Sequence, residues 1–414
     1  MTQEIIFVEA SVTGAGYLAS VFAREEGLSV TLLTRDPAIY ATDLLAQVDD
    51  VITCDTDSAQ VVAQIAKARA RDRSVVALTT TADMYVPQAA FAAQTLGLPG
   101  LRYQAALRAR NKHKMREALA EQAPDCNTEF ALVMAADEVS AAQARLGLPL
   151  IAKPQEENDG IGVRLIRSTS ELETYVSQAL SRTHNSAGQS VPPGVLLEAF
   201  IDWPEFSVET IQYPGGPCQV IGVTLKQVIG QERAHFVEAG HVFPYAGPEV
   251  EVATTAVVRV LGAMGIDHGA VHTECRVRAQ EVAIMEINPR LAGGKIGSHL
   301  IEMATGVSAV NAVVEAALGR RRRWAALRQQ AASIQNVWAS CPGVFQGIRN
   351  VDYLRGLPGI TSVSTLVEPG TLVGPPTKNG DSIAEILAVG ADFDTAKANA
   401  ERALAEIDVD LVAA

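Results

Sequence analysis

Two short segments contain the residue types that would bind a metal ion beside a phosphate group. Glu274 ends the run VHTE, and Glu286, Asn288 and Arg290 lie in the run IMEINPR. Both runs read as short apolar strands, and alternate strand residues share a face, so both carboxylates and the amide can meet. Carboxylate and amide oxygens suit Mg²⁺, with Mn²⁺ as an alternative. Arg290 falls on the same face, where it can stabilise a transferring phosphoryl group.

Either acid alone would be explained as a solvated residue at the end of a strand. The second acid, the amide and the arginine together favour a metal site.

Length and composition predict an ordinary globular chain of two or three domains. The 414 residues are 48% hydrophobic and 20% charged, and the net charge is −13. No apolar run approaches the roughly 20 residues of a membrane span, and the acidic N-terminus is unlike a signal peptide. We therefore predict a cytoplasmic protein without a membrane partner.

The charge pattern argues against nucleic acid as a partner. The basic cluster Arg320–Arg323 is short, and we interpret it as a solvated helix face rather than a phosphate-binding tract. The five cysteines are scattered without a CxxC pair, which predicts buried reduced thiols and neither disulfides nor a zinc site.

Apolar runs alternate with helical patterns over residues 1–105, and this predicts a doubly wound parallel sheet of the α/β class. Gly14 and Gly16 form a tight turn after the first run, which we expect to face the substrate. The third glycine and the acidic residue of a dinucleotide fingerprint are missing, so an NAD site and an oxidoreductase are disfavoured.

The character of the chain changes near residue 106. Basic residues crowd a helix start at 108–116, and a polar glycine-bearing loop follows at 155–163. An antiparallel region at about 206–250, a helix near 251–264 and two strands around 270–288 come next. The tail contains short strands, Pro-Gly turns and a final amphipathic helix from Thr395 to Ile407.

The motifs together resemble those of the ATP-grasp superfamily of carboxylate–amine ligases, and within it the L-amino acid ligases, which form dipeptides. The resemblance implies an α/β N-terminal domain followed by a two-subdomain α+β ATP-grasp fold with a mobile lid. It implies four parts, namely an N-terminal domain (1–105), a small subdomain or lid (106–200), a large subdomain with the metal site (201–320) and a C-terminal extension packed on it (321–414).

The resemblance also assigns the nucleotide site. Lys112 resembles the first phosphate-contacting lysine, with Lys114 as the alternative, and Lys153 the second. Gly160 and Gly162 lie in the phosphate-covering loop. The remaining residues that it implies for ATP are the adenine hinge, the acid that accepts from ribose and a γ-phosphate contact, namely Glu198, Ala199, Phe200, Glu205 and Lys226.

Glu274, Glu286 and Asn288 then correspond to the metal ligands, and Arg290, Lys153 and Lys112 to the catalytic cations. Two further segments are similar to the L-amino acid ligases. One contains His241, a substrate contact or a satisfied turn residue. The other contains Gly293 and Gly294, whose missing side chains would leave room beside Arg290 for an incoming amine.

The expected reaction activates a small carboxylate with ATP as an acyl phosphate, which an amine then attacks, releasing ADP and phosphate. A small carboxylate and an amine are thus the expected partners, and the resemblance also implies a homodimer. The alternatives are an ATP-grasp enzyme that uses formate or bicarbonate and a nucleotide-binding protein without catalysis.

Overall fold

The computed structural model describes residues 2–413. The N-terminal part is a parallel sheet of four strands in the order β3-β2-β1-β4. Its strands and helices are β1 (Gln3–Val8), α1 (Ala15–Glu25), β2 (Ser29–Thr34), α2 (Thr42–Leu45), β3 (Asp50–Thr53), α3 (Ala59–Asp72), β4 (Ser74–Thr79) and α4 (Val86–Leu96).

Strand β1 is buried on both faces, as expected for a strand inside a doubly wound sheet. Ile5 and Phe7 pack on the α1 side, whereas Ile6 and Val8 pack against α3 and α4. The doubly wound fold predicted for this part is therefore confirmed.

A small antiparallel sheet in the order β5-β8-β6-β7 follows, with its own apolar core. Its elements, with the two helices that lead into it, are α5 (Tyr103–Arg110), α6 (Lys112–Gln122), β5 (Phe130–Val133), α7 (Val139–Leu146), β6 (Leu150–Lys153), β7 (Arg164–Ile166), α8 (Thr169–Ala179) and β8 (Val195–Ala199). We call the segment 128–199 the lid.

The largest sheet has eight antiparallel strands in the order β13-β12-β9-β10-β11-β14-β18-β16. Its first part comprises β9 (Glu205–Gln212), β10 (Gln219–Ile229), β11 (Val237–Phe243), α9 (Glu249–Ala263), β12 (Gly269–Arg278), β13 (Glu281–Asn288), α10 (Ile301–Thr305) and α11 (Ala309–Ala317). Alternate faces of the central strands pack into two separate cores, so the sheet is covered on both sides.

The C-terminal strands complete this sheet, since β14 pairs with β11 and β18 with β14. A three-stranded sheet, β17-β15-β19, lies beside it. The elements here are β14 (Ala331–Val337), β15 (Gly343–Ile348), α12 (Val351–Arg355), β16 (Ile360–Thr365), β17 (Leu372–Val373), β18 (Ala384–Gly390), α13 (Phe393–Glu406) and β19 (Val409–Val412). The division at 105, 200 and 320 stays a prediction.

The helix predicted around Arg320–Arg323 is wrong. Helix α11 ends before Gly319, whose φ of 70° is left-handed, and the cluster lies in an irregular segment. Arg320 pairs there with Glu26, and Arg322 with Glu315 at 3.0 Å. These arginines fix the segment to neighbouring elements.

Within residues 2–413 the five cysteines are free thiols. No single helix in this range is long and apolar enough to cross a membrane. One bent pair, Ile296–Thr305 with Ala309–Ala317, passes that test by length and composition only.

Candidate active site

Strands β12 and β13 bring the two predicted acidic ligands together. Glu274 is directly opposite Glu286 in the antiparallel register, and His272 is opposite Asn288. The acids, Asn288 and Arg290 line one cavity of about 740 Å³, which lies between the lid, the large sheet and the N-terminal part. The four side chains that the sequence predicts for the metal ion and the phosphoryl group therefore lie in one cavity.

Glu274 is held by two donors that contact the same oxygen. Lys226 Nζ lies 2.7 Å from Glu274 Oε1, and His272 Nε2 lies 3.1 Å from it. His272 is anchored on its other side by Glu209, 2.9 Å from Nδ1. Burial opposes the charge of His272, but Glu209 and Glu274 raise its pKa to about 9. This arrangement leaves Glu274 Oε2 free of these two donors.

Lys226 is placed differently from the predicted γ-phosphate contact. Its buried ammonium lies 2.9 Å from Glu238 and 3.5 Å from Glu205, in addition to Glu274, and it does not line the cavity. Burial opposes its charge, but the carboxylates of Glu238 and Glu274 raise its pKa well above the ordinary range. Lys226 is thus an internal counter-ion beneath three acids.

Lys112, rather than Lys114, faces the cavity. Lys112 Nζ lies 2.9 Å from Glu286 Oε1 and donates to the Glu157 carbonyl at 2.7 Å. Asn111 caps α6 by accepting from the backbone N–H of Lys114, whose side chain is exposed. This local geometry directs Lys112, the first lysine of the basic cluster, into the cavity.

Lys153 ends β6 and forms a buried ion pair with Glu198 at 2.7 Å. Arg116, fully buried, contacts the same carboxylate at 2.7 Å. Burial would raise the pKa of Glu198, but Arg116 and Lys153 lower it to about 2. The Glu198 carboxylate was predicted to hold the adenine edge. It is already bound to two cations, and its role in this structure is to position Lys153.

The predicted hinge lines the cavity through Ala199 and Phe200. Glu205 also lines it, but its carboxylate accepts from Arg276 at 2.8 Å. The Arg276 guanidinium lies 5.8 Å from the ring centres of both Phe200 and Phe236. Glu205 thus lies in a cavity wall that also contains the Arg276 guanidinium. A hydrogen bond from ribose would be donated to a carboxylate that Arg276 already contacts.

The two glycines of the loop after β6 differ in position. Gly160 lines the cavity with a φ of 71°. Gly162, with a φ of 79°, lies behind the loop, where an added Cβ would approach Pro154 Cγ to 2.9 Å. A direct phosphate contact therefore fits Gly160, while Gly162 permits the close packing of the loop.

Arg290 projects into the cavity beside an acid, Asp83, that was not predicted from the sequence. Its Nε lies 3.2 Å from Asp83 Oδ1. Burial would raise the pKa of Asp83, but Arg290 and Arg110 hold it below the ordinary range. Asp83 follows the carboxyl end of β4, where ligands of open α/β sheets bind. This position could have identified Asp83 as a site residue from the sequence.

His241 lines the cavity with its Nε2 3.1 Å from Glu238 Oε2, and its buried Nδ1 has no partner among residues 2–413. Gly293 and Gly294 also line the cavity, and a Cβ on Gly294 would lie 3.0 Å from His241 Nε2. Four further acids and cations line the cavity and were not predicted from the sequence, namely Glu238, His272, Lys295 and Glu385.

The chain matches three sequence families. Residues 22–100 match the ATP-grasp N-terminal domain, residues 146–299 the ATP-grasp domain, and residues 337–412 the L-amino acid ligase C-terminal domain 2. This chain is an ATP-grasp carboxylate–amine ligase. The third match shows that its C-terminal part is similar to that of the L-amino acid ligases.

Individual relatives are similar to the chain over different lengths. The ligase is 26% identical to the protein y4rH of Sinorhizobium fredii, over 99% of this chain and 83% of that protein. It is 29% identical to alanine–anticapsin ligase of Bacillus amyloliquefaciens over 58% of this chain, and spans 53% of that enzyme. The solved L-amino acid ligase of Bacillus licheniformis has the same fold, with a TM-score of 0.82, 20% identity and coverage of 100% and 99%.

The donor set of the ligase fits Mg²⁺ bound together with ATP. Residues 2–413 contain no cluster of three His, Cys, Asp or Glu side chains arranged for a metal ion. Two opposed carboxylates and an amide suit an ion that keeps several waters and takes its other ligands from phosphates. Glu274, Glu286 and Asn288 would hold the ion. Lys112 would then give up its contact with Glu286 and contact a phosphate instead.

Proposed function

We propose that the ligase activates a small carboxylic acid, most simply an amino acid, with ATP and then joins it to an amine. The observation that carries this proposal is the opposition of Glu274 and Glu286 in one cavity with Lys112, Lys153 and Arg290. The similarity to alanine–anticapsin ligase and to an L-amino acid ligase supports an amino acid as the acid.

In the first step a carboxylate oxygen of the acid attacks the γ-phosphorus, and the bond to the β-phosphate oxygen breaks to release ADP. Bound Mg²⁺, or Mn²⁺, would neutralise charge on the phosphates. Lys112 and Arg290 orient the phosphoryl group and stabilise its charge, and Lys153, fixed by Glu198, contributes a point charge at the lid end.

In the second step the amine nitrogen attacks the acyl carbon, the bond to the phosphate oxygen breaks, and phosphate leaves with the electron pair. The proton lost by nitrogen passes to phosphate or solvent. Arg290 stabilises the oxyanion that forms on the way. The lid, closed over the cavity, excludes the water that would hydrolyse the acyl phosphate.

The test supplies the protein with ATP, Mg²⁺ or Mn²⁺, the twenty L-amino acids in pools, and separately formate and bicarbonate with amines. We expect ADP, phosphate and an amide product from the amino acid pools. AMP and pyrophosphate would exclude the acyl-phosphate route. Turnover only with formate or bicarbonate would favour that alternative, and no turnover with any acid would favour a non-catalytic binding protein.

Glu286→Ala should lower turnover by at least about 10²-fold, the scale for loss of one electrostatic stabiliser. The matched control is Glu281→Ala, on the same strand but 61% exposed at its side chain, which should stay within about twofold of wild type, as expected for a surface change. Equal activity of both variants would refute the metal assignment.

A further inference from the structure

One buried arginine lies where the lid joins the rest of the chain. Arg116, on α6, is the largest of the fully buried side chains among residues 2–413. Its guanidinium contacts the segments at which the chain enters and leaves the lid, donating to Asn127 Oδ1 at 3.2 Å and to Glu198 Oε1 at 2.7 Å. Asn127 in turn donates to the Arg116 carbonyl at 3.0 Å. Arg116 therefore binds both connections of the lid at its hinge.

The same guanidinium contacts the strand that contains a predicted metal ligand. Its Nη1 donates to the Ile284 carbonyl at 2.6 Å, and its Nη2 donates to the Met285 carbonyl at 3.4 Å. Glu286 follows directly on β13, which is paired with β12 along its length. Because that pairing fixes β13 independently, the strand is the support and the lid is the part that the arginine positions.

Glu198 connects this arginine to a lysine of the cavity. Lys153 Nζ lies 2.7 Å from Glu198 Oε2, while Arg116 contacts the other carboxylate oxygen. Lys153 and Glu198 line the cavity, and Arg116 is not among its lining residues. The carboxylate thus bridges an arginine bound to the large sheet and a lysine that faces the nucleotide space.

The cluster carries more positive than negative charge. Arg116 and Lys153 share one buried carboxylate, although buried charges are usually balanced by their partners. Burial lowers the pKa of Lys153 and Glu198 raises it, while Arg116 lowers it further. A nucleotide phosphate beside Lys153 would supply the missing negative charge. Because Arg116 neutralises Glu198, Lys153 can contact that phosphate and still remain fixed.

Stability alone is a weak explanation for a fully buried arginine. Replacing a buried ion pair with apolar residues of similar volume is often neutral or stabilising, because the charges no longer have to leave water. An arginine differs from such residues, and from lysine, in its planar fork of five donors. That fork lets one side chain reach the hinge, the lid and β13 at once.

We propose that Arg116 is a positioning residue that ties the lid to β13 and so sets the position of Lys153 relative to Glu286. It acts on the nucleotide through Glu198 and Lys153 rather than by contact. The inference rests on the proposed function in one respect, namely that Lys153 contacts a phosphate of the nucleotide.

The first experiment is a double-mutant cycle on nucleotide affinity. Calorimetry with Mg²⁺–ADP compares wild type, Arg116→Lys, Lys153→Met and the variant with both changes. Arg116→Lys keeps the charge but lacks the fork, and we expect it to weaken ADP binding about tenfold. In the Lys153→Met background the same change should have less than about a twofold effect. An unchanged affinity in Arg116→Lys, or equal effects in both backgrounds, would overturn the proposal.

The second experiment measures the lid without a nucleotide. Amide hydrogen exchange should be about tenfold faster in β6 and β8 of Arg116→Lys and unchanged in β12 and β13, because only the lid strands lose their support. Equal acceleration in both sheets would indicate general destabilisation and overturn the proposal. Absence of ADP binding by wild type would count against the proposed function, whereas the exchange pattern still tests whether Arg116 positions the lid.

A milder variant keeps the proposal testable if Arg116→Lys does not fold. Asn127→Ala removes one partner of the guanidinium but leaves the pair of Arg116 with Glu198 intact. We expect it to weaken ADP binding about threefold, and to have no effect in the Lys153→Met background. An unchanged ADP affinity in Asn127→Ala would overturn the proposal.

The matched control is a second arginine beside the same hinge. Arg259 pairs with Asp125, and its side chain is 46% exposed. Arg259→Lys should therefore leave both ADP affinity and lid exchange within about twofold of wild type. A loss as large as that in Arg116→Lys would assign the effect to any arginine at the hinge and overturn the proposal.

Discussion

At the scale of single residues, the site is a set of buried charges that are paired before any ligand binds. Lys112 contacts Glu286, Lys153 contacts Glu198, and Arg290 contacts Asp83. Because an isolated buried charge is costly, each pair keeps its members ionised and in place. We propose that phosphates replace an existing partner of each cation rather than recruit a mobile side chain.

The two neighbouring lysines of α6 offer a matched test of this view. Lys112→Met should reduce turnover by about 10²-fold or more, because it removes a cation that faces the phosphates. Lys114→Met, at an exposed position, should stay within about twofold of wild type. Steady-state kinetics of ADP release measures both, and a larger effect at Lys114 would reverse the assignment.

Glu198 gives a prediction for acid stability. Its pKa is about 2 in the folded protein against an ordinary 4.5, so its contribution is present above pH 4.5 and is lost as the pH falls toward 2. The difference corresponds to about 3 kcal/mol of unfolding free energy. Urea midpoints at about pH 5 and about pH 3 should therefore differ less in Glu198→Gln than in wild type.

The exposed Glu281→Gln variant is the control for that comparison and should retain the wild-type dependence. An equally steep loss of stability in Glu198→Gln would show that other carboxylates account for acid unfolding.

At the scale of elements, strand register brings the acids together and a glycine loop covers them. The pairing of β12 with β13 places Glu274 against Glu286, and a slip of one residue would turn either side chain to the other face. The loop after β6 needs left-handed backbone at Gly160, where an added Cβ would lie 3.2 Å from the Phe236 carbonyl. A substitution there acts on loop conformation without removing any charge.

Gly160→Ala should raise the KM for ATP about fivefold to tenfold, since the left-handed conformation costs roughly 1–2 kcal/mol for a residue with a Cβ. Gly262→Ala in α9 is the matched control, because no atom beyond its own stretch of helix backbone lies within 4 Å of its added Cβ. It should leave the KM unchanged and stabilise the fold by about 0.5–1 kcal/mol. Kinetics and thermal melts measure both, and an unaffected KM in Gly160→Ala would contradict this role for the loop.

At the scale of the whole molecule, the lid rests on the N-terminal part. The lid loop at 184–190 contacts it through Gln189, whose Nε2 donates to Asp57 Oδ1 at 2.9 Å and to the Met84 carbonyl at 3.3 Å. Arg35 donates to the carbonyl of Ala187 at 2.5 Å. We propose that these polar contacts hold the lid over the cavity and break when substrates enter.

Gln189→Ala should therefore favour the open lid. We expect faster proteolytic cleavage within residues 180–194 and a KM for ATP raised about threefold to tenfold, consistent with the loss of two hydrogen bonds. Gln178→Ala, on helix α8 of the lid, is the control and should change neither rate. Identical cleavage in wild type and Gln189→Ala would argue against this contact as a latch.

The sequence alone predicted the strand-and-helix alternation and the acid pair, because hydrophobic period and residue type are local properties. Lys112 and Lys153 were predicted from the family resemblance. Only the tertiary structure decided which charges pair. Asp83, Glu238 and Glu385 come from three distant segments, and Lys226 lies beneath acids that nothing in its own neighbourhood predicts. Ion pairing depends on distances between strands far apart in the chain, which no spacing along the sequence encodes.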